Sequence, residues 1–201
     1  VVGVAVKAMT AAKIFGISPE DVTADQRRIA KTANFGILYG ISAFGLSQRL
    51  HIGRAEAKKI IEDYFSNFPA ISSYIEDTLA SAREFGYVET LFGRRRYLPD
   101  INSRNATVRA LAERTAINAP IQGTSADIIK LAMVNVDRRI AEEDLQSRMV
   151  LQIHDELLFD ALPEEVEKLE RIVREEMENV IELSIPLTVE CNYGNNWLEA
   201  H

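Results

Sequence analysis

Cysteine occurs once in the 201 residues, at Cys191, and tryptophan once, at Trp197. A lone thiol excludes an internal disulfide framework, so stability must come from buried apolar surface, and a reducing, cytoplasmic setting is expected. Cys191 itself reads as a small residue in a late strand. No uninterrupted apolar run nears the roughly 20 residues that a membrane helix needs, so no membrane partner is expected. The opening VVGVAVKAMTAAKIFG is apolar, but Lys7 and Lys13 interrupt it and the layout of a signal peptide is missing. Repeats and low-complexity linkers are also absent. Positive charge is not in excess: 23 Lys and Arg face 30 Asp and Glu, a formal net charge of −7. A uniformly basic coat for nucleic acid is thereby excluded, although a basic face is not.

What is present is an ordinary core-forming composition. Hydrophobic residues make up 47% and charged residues 26%, enough for one large domain or two small ones. Charge is unevenly spread. Between positions 83 and 114 stand Arg83, Arg94, Arg95, Arg96, Arg104, Arg109 and Arg114, against Glu84, Glu89, Asp100 and Glu113. From 164 to 182 glutamates dominate instead. That asymmetry suits a protein meeting phosphate on one face, and it equally suits a solvated charged surface.

Hydrophobic period and breaker residues give a coarse map. Thr23 and Gln26 have capping-box spacing before a helix over about 25–39. A second helical stretch, 55–68, places Ile60, Ile61, Tyr64 and Phe65 on one side. Pro69 allows another helix, to about Gly86, and 86–100 reads as a hairpin around Gly93. Helices are predicted over 104–117 and 121–142, separated at Pro120. A strand-turn-strand follows at about 148–161, with the turn at His154-Asp155-Glu156. Pro163 opens a helix to about Leu183, and 186–194 is predicted as a final strand. The expected class is α+β: a mostly helical first part, then helices packed on a small antiparallel sheet.

Arg27, Lys31, Phe35 and Tyr39 recur every fourth residue. Each step turns about 400°, so the four drift slowly round one helix face over roughly 18 Å. Cations near a helix amino terminus add to its own preference for anions, making a possible triphosphate clamp that ends in two rings. Spacing alone leaves open a surface helix with a solvated basic side and aromatics entering a core. Gln152, His154, Asp155 and Glu156 form a second group. Adjacent carboxylates on a tight turn offer the oxygen ligands a hard cation such as Mg²⁺ prefers, while a plain solvated turn is the bland alternative. Arg114, Asn118 and Gln122 repeat every four residues and could donate to minor-groove acceptors, or simply cap a broken helix.

The wording of these segments is more specific than their spacing. RRIAKTANFGILYG (27–40) resembles motif B of the family A (polymerase I-like) DNA polymerases, and LQIHDELLFD (151–160) resembles their motif C, in the family's order. RTAINAPIQGTSADIIK (114–130) and LFGRRRYLPDI (91–101) are similar to further family segments. The resemblance spans about Thr10 to His201. It implies fingers over 1–107 and the carboxy-terminal part of the palm over 108–201. It further implies that Arg27 and Lys31 bind the incoming dNTP, with Lys31 also counted as catalytic. Phe35 would pack near the deoxyribose, and Tyr39 would stack at the templating position. Asp155, with Glu156 as an auxiliary, would ligate two Mg²⁺ ions. Arg114, Asn118, Gln122, Gln152 and His154 would contact template-primer DNA, and Arg94, Arg95 and Arg96 could meet its phosphates. A monomer serving DNA replication or repair is the implied setting.

Two departures from the family pattern stand out. Motif A, the aspartate-bearing palm strand, has no counterpart in residues 1–10, so the 201-residue chain by itself is expected not to polymerise. Where family members carry Asp-x-His ahead of TAAKIFG, this chain has Ala5, Val6 and Lys7. A non-catalytic nucleic-acid-binding module is the competing expectation, and adjacent carboxylates beside phosphate speak against it.

Overall fold

The computed structural model describes residues 11, 12 and 15–200; the Ala5-Val6-Lys7 departure therefore lies outside the described residues. The elements are α1 (Ala24–Leu38), α2 (Ala43–Leu50), α3 (Arg54–Asn67), α4 (Pro69–Phe85), β1 (Tyr87–Glu89), β2 (Arg95–Tyr97), α5 (Ala106–Glu142), β3 (Arg148–Ile153), β4 (Glu156–Asp160), α6 (Val166–Glu178) and α7 (Trp197–Ala200). Each sheet is a two-stranded antiparallel hairpin, so the class is α+β. Two compact units divide between Ile121 and Gln122.

In the first unit, α1 begins where its capping box requires. The Gln26 amide donates to Thr23 Oγ1 at 3.2 Å, and the Thr23 amide donates to Gln26 Oε1 at 2.9 Å. Both are orphan donors at a helix start, which the two side chains satisfy reciprocally. Ala30, Ala33 and Ile37 form the buried stripe of α1 and pack with Leu46 and Leu50 of α2 and Ala57, Ile60 and Tyr64 of α3. Tyr64, 1% exposed, donates its hydroxyl to Asn34 Oδ1 at 2.6 Å. Burying a ring requires such a partner for its polar tip. A second cluster joins Ala82, Val88, Leu98, Ile101, Ala112 and Ala116. The α4 helix stops at Gly86 (φ 75°), and Gly93 (φ 77°) turns the β1–β2 hairpin.

The expected break at Pro120 does not occur; α5 runs continuously through it. A helical proline forfeits one backbone hydrogen bond and crowds the preceding turn, at about 3 kcal/mol or more. Here buried positions continue on both sides of it, Ala112, Ala116 and Ile117 before, and Ile129, Ala132, Val136 and Ile140 after. Packing of that stripe outweighs the local preference.

In the second unit, Val136 and Ile140 of α5 pack with Leu169 and Val173 of α6, and Met149 and Phe159 join them from the hairpin. Pairing of Leu151 with Leu158 but Met149 with Phe159 marks a bulge at Val150. The extra residue reverses the alternation, so Met149 reaches the core face while Leu151 stays on the outer one. Two further expectations are corrected. The α6 helix ends at Glu178 rather than near Leu183, and 186–194 contains no strand. That segment, with Cys191, is held by side chains instead of a ladder: the Val189 amide donates to Glu178 Oε1 at 2.9 Å, and Arg174 donates to the Val189 carbonyl.

Ser147 is a buried polar knot of this unit, 2% exposed. Its hydroxyl donates to Glu165 Oε2 at 2.6 Å and accepts from the Leu162 amide at 3.1 Å. Glu165 also accepts from the Gln146 amide and the Ser147 amide. Ser147→Ala is expected to lower stability by about 1–3 kcal/mol, because the Leu162 amide loses its acceptor and the Glu165 carboxylate one of its donors. Hydrogen exchange at Leu162 should accelerate with it. The backbone donor of Gln146, then the Ser147 side chain, hold the Glu165 carboxyl below its ordinary 4.5. A depressed carboxyl pKa contributes stability above the unfolded value, and that contribution fades as pH falls through the folded one. The melting temperature should therefore fall less steeply in Glu165→Gln than in the parent chain as pH drops below 4.5, which a series of thermal melts checks.

Candidate functional site

Opposite its buried stripe, α1 presents Arg27, Lys31 and Phe35 outward. The Arg27 guanidinium folds toward the helix start and donates to the Val22 carbonyl at 3.2 Å. Arg28 is instead engaged by Asp25 at 2.9 Å. Lys31 is exposed and has no hydrogen bond or ion pair among the described residues. Phe35 and Tyr39 are stacked, with centroids 6.5 Å apart and planes 18° from parallel, yet remain 48% and 38% exposed. The second alternative for this helix, rings entering a core, is thus not what the structure has. Two cations followed by two exposed, mutually aligned rings can take an anion and a flat apolar group side by side.

Arg114 of α5 joins this face. Its Nε donates to the Tyr39 carbonyl at 3.3 Å, placing a cation at the carboxy-terminal end of α1 where the helix dipole favours one. Gly40 makes that approach possible. It sits at φ 69°, and a Cβ there would stand 3.2 Å from Arg114 Cγ. In the sequence, the only sign of this role is the place of Gly40 directly after Tyr39. Asn118 is half-buried, and its Oδ1 has no donor among the described residues.

In the second unit, β3 and β4 bring Gln152, His154, Asp155 and Glu156 to one hairpin end. The turn is two residues, His154-Asp155, because Glu156 already pairs with Ile153 as the first residue of β4. His154 takes φ 54°, a left-handed position, and the Gln152 side chain donates through Nε2 to the His154 carbonyl, pinning the turn. That pinning was not foreseen. Asp155 is exposed and makes no hydrogen bond or ion pair among the described residues. Gln122, the first residue of this unit, is exposed on α5.

Among the described residues no three His, Cys, Asp or Glu side chains converge as a ready-made cage. Two adjacent carboxylates on a solvent-facing turn are nevertheless the donor set Mg²⁺ takes. It binds through one or two carboxylates and keeps other positions for water and substrate phosphate. Asp155 and Glu156 fit that ion.

A helix face of cations and rings and an oxygen-donor hairpin suit a phosphate-handling α+β protein. The family model described as DNA polymerase family A matches residues 4–199. DNA polymerase I of Geobacillus stearothermophilus is 52% identical over 198 residues, covering 98% of this chain and 23% of that protein. DNA polymerase I of Pseudomonas aeruginosa is 51% identical over 192 residues, 96% of this chain and 21% of that protein. Among solved structures, the POL domain of Pol1 from M. smegmatis, in complex with DNA primer-template and dNTP, superposes with a TM-score of 0.93 at 46% identity. That match covers 96% of this chain and 34% of the other. This chain belongs to DNA polymerase family A. It spans less than a quarter of the length of the relatives it matches.

Proposed function

We propose that the chain is the fingers (1–107) and carboxy-terminal palm (108–201) of a DNA-directed DNA polymerase that extends a primer 3′-hydroxyl with dNTPs. The observation that carries the proposal is the outward face of α1, where exposed Arg27 and Lys31 lead into the stacked Phe35–Tyr39 pair that Arg114 braces. Arg27 offers a fork and Lys31 a point charge to the triphosphate. Lys31 also offsets the charge that develops on the leaving pyrophosphate, which is why it is counted as catalytic. Phe35 packs on the deoxyribose, and Tyr39 stacks at the templating position. Arg114, Asn118, Gln122, Gln152 and His154 hold the template-primer.

Asp155 and Glu156 would hold Mg²⁺, which when bound activates the primer hydroxyl and neutralises phosphate charge. One hairpin supplies only part of a two-ion site, so the 201-residue chain by itself is expected not to extend a primer. We place the protein in the cytoplasm as a monomer acting in replication or repair; no helix among the described residues is long and apolar enough to cross a membrane.

The test is triphosphate binding by the chain itself. Lys31→Ala is expected to weaken dNTP binding about tenfold or more, from loss of a charge-assisted contact worth about 1.5–3 kcal/mol. Arg28→Ala should change it little, since Arg28 is committed to Asp25. Equal affinity of the parent and Lys31→Ala chains, measured by fluorescent-nucleotide titration, would remove the proposal. DNA binding indifferent to both Mg²⁺ and dNTP would favour a non-catalytic binding module instead.

A further inference from the structure

We propose that the outer face of the β1–β2 hairpin is a stacking platform for an unpaired DNA strand, separate from the nucleotide-gripping face of α1. The register pairs Tyr87 with Tyr97, Val88 with Arg96 and Glu89 with Arg95. Directly opposed residues share a sheet face, and neighbours along a strand alternate. Tyr87, Tyr97, Glu89 and Arg95 therefore lie on one side, while Val88 faces the cluster that also buries Leu98 and Ile101. On the outer side the Tyr87 and Tyr97 rings meet edge-on, 5.7 Å apart at 63°, and Phe85 continues the row 6.3 Å from Tyr87, tilted by 44°, so the exposed Tyr97 and Phe85 rings each offer their own face rather than a shared plane. Tyr97 is 66% exposed and Phe85 57%. The Arg95 guanidinium lies 4.4 Å over the Tyr87 ring and bonds Glu89 at 2.7 Å, so a cation is held against the aromatic row.

A hairpin whose inner face already meets the core needs no aromatic outer face. Polar side chains would serve it as well at lower solvation cost. The row instead combines rings on which bases stack with a cationic border. Arg94, Arg95 and Arg96 stand on the hairpin against Glu89, which Arg95 bonds, while Arg83 of α4 is committed to Glu113 at 2.9 Å. Ring faces plus arginine charge are the two components of single-strand recognition, and any base can use them. A duplex offers the charge but hides its base faces within the stack. An unpaired strand offers both, which decides the occupant. The choice of DNA over other single strands rests on the polymerase reading; the stacking function does not.

The experiment uses the 201-residue chain with one fluorescein-labelled 15-nucleotide DNA sequence, single-stranded or annealed, read by anisotropy at low salt. The expected result is that combined Phe85→Ala and Tyr97→Ala weakens single-strand binding about tenfold or more and leaves duplex binding within about twofold, given that stacking is lost at each ring. Tyr97→Trp should bind the single strand at least as tightly as the parent. Both substituted rings are exposed, so the melting temperature should hold. If it falls, Tyr97→Trp and Arg95→Ala carry the test: the first retains binding and the second, which removes the guanidinium over Tyr87, weakens both DNA forms. Unchanged single-strand affinity in the double variant, equal loss of both forms, or no single-strand binding by the parent chain would each overturn the proposal. Lys31→Ala separates the two readings. It should lower dNTP binding without altering single-strand binding, so either function can fail while the other stands.

Discussion

Asp155→Asn, placed in a complete polymerase of the family, is expected to reduce template-dependent incorporation by at least about a hundredfold. Loss of a mere outer-shell partner of a metal ligand already costs about 10- to 100-fold, and an amide removes the anionic oxygen itself. Asp155 lies on the two-residue turn, exposed and unbonded within the fold among the described residues. The change should therefore leave stability within about 0.5 kcal/mol, as for surface positions without special partners. Primer extension in Mg²⁺, with a melting curve beside it, separates chemistry from folding. Activity within tenfold of the parent would show that Asp155 is not a metal ligand. Glu156→Gln, at the auxiliary carboxylate, should lose less.

Tyr64→Ala is expected to destabilise the first unit by about 3–5 kcal/mol, the range for removing a large buried ring. The ring is 1% exposed among Ala30, Ala33, Leu46, Ala57 and Ile60, and Phe65 and Phe68 lie against it at 5.9 and 5.0 Å. Tyr64→Phe keeps the volume and loses only the bond to Asn34, so about 1 kcal/mol is expected. Asn34 sits beside Phe35 on α1, which links the core to the outward face of cations and rings proposed to hold the nucleotide. The alanine variant should thus lose dNTP affinity along with stability, and the phenylalanine variant should not. Urea denaturation and nucleotide titration on the same samples check both. Burial pushes the Tyr64 phenol above its ordinary 10.0. A raised pKa means its contribution is complete below that value and is lost as alkaline pH rises through the folded one.

How much of this could be read beforehand depended on the range of the interactions involved. The α1 start followed from Thr23 and Gln26, because a capping box is satisfied within four residues. The β1–β2 turn followed from Gly93, and the α4 start from Pro69, for similarly local reasons. Pro120 misled because the same local rule was overridden by burial extending over the length of α5. The strand expected over 186–194 misled in the opposite sense. Its apolar alternation is real, but a strand needs a neighbour to pair with, and the segment is instead tied by Arg174 and Glu178. The bulge at Val150 was invisible, since Met149, Val150 and Leu151 are all apolar and give no sign of which residue is unpaired.

The candidate site divides the same way. By itself the sequence determined the family, the identity of the cations, rings and carboxylates, and their order, because motif wording and helical period are properties of neighbours along the chain. Only the tertiary structure decided that Phe35 and Tyr39 stack outward rather than entering the core, and that Arg114, 75 positions on, donates to the Tyr39 carbonyl beside a glycine with room for it. Only it showed that Gln152 pins the left-handed turn carrying Asp155. Contacts between residues far apart in sequence are set by which surfaces the core leaves exposed, and one-dimensional spacing carries no record of that.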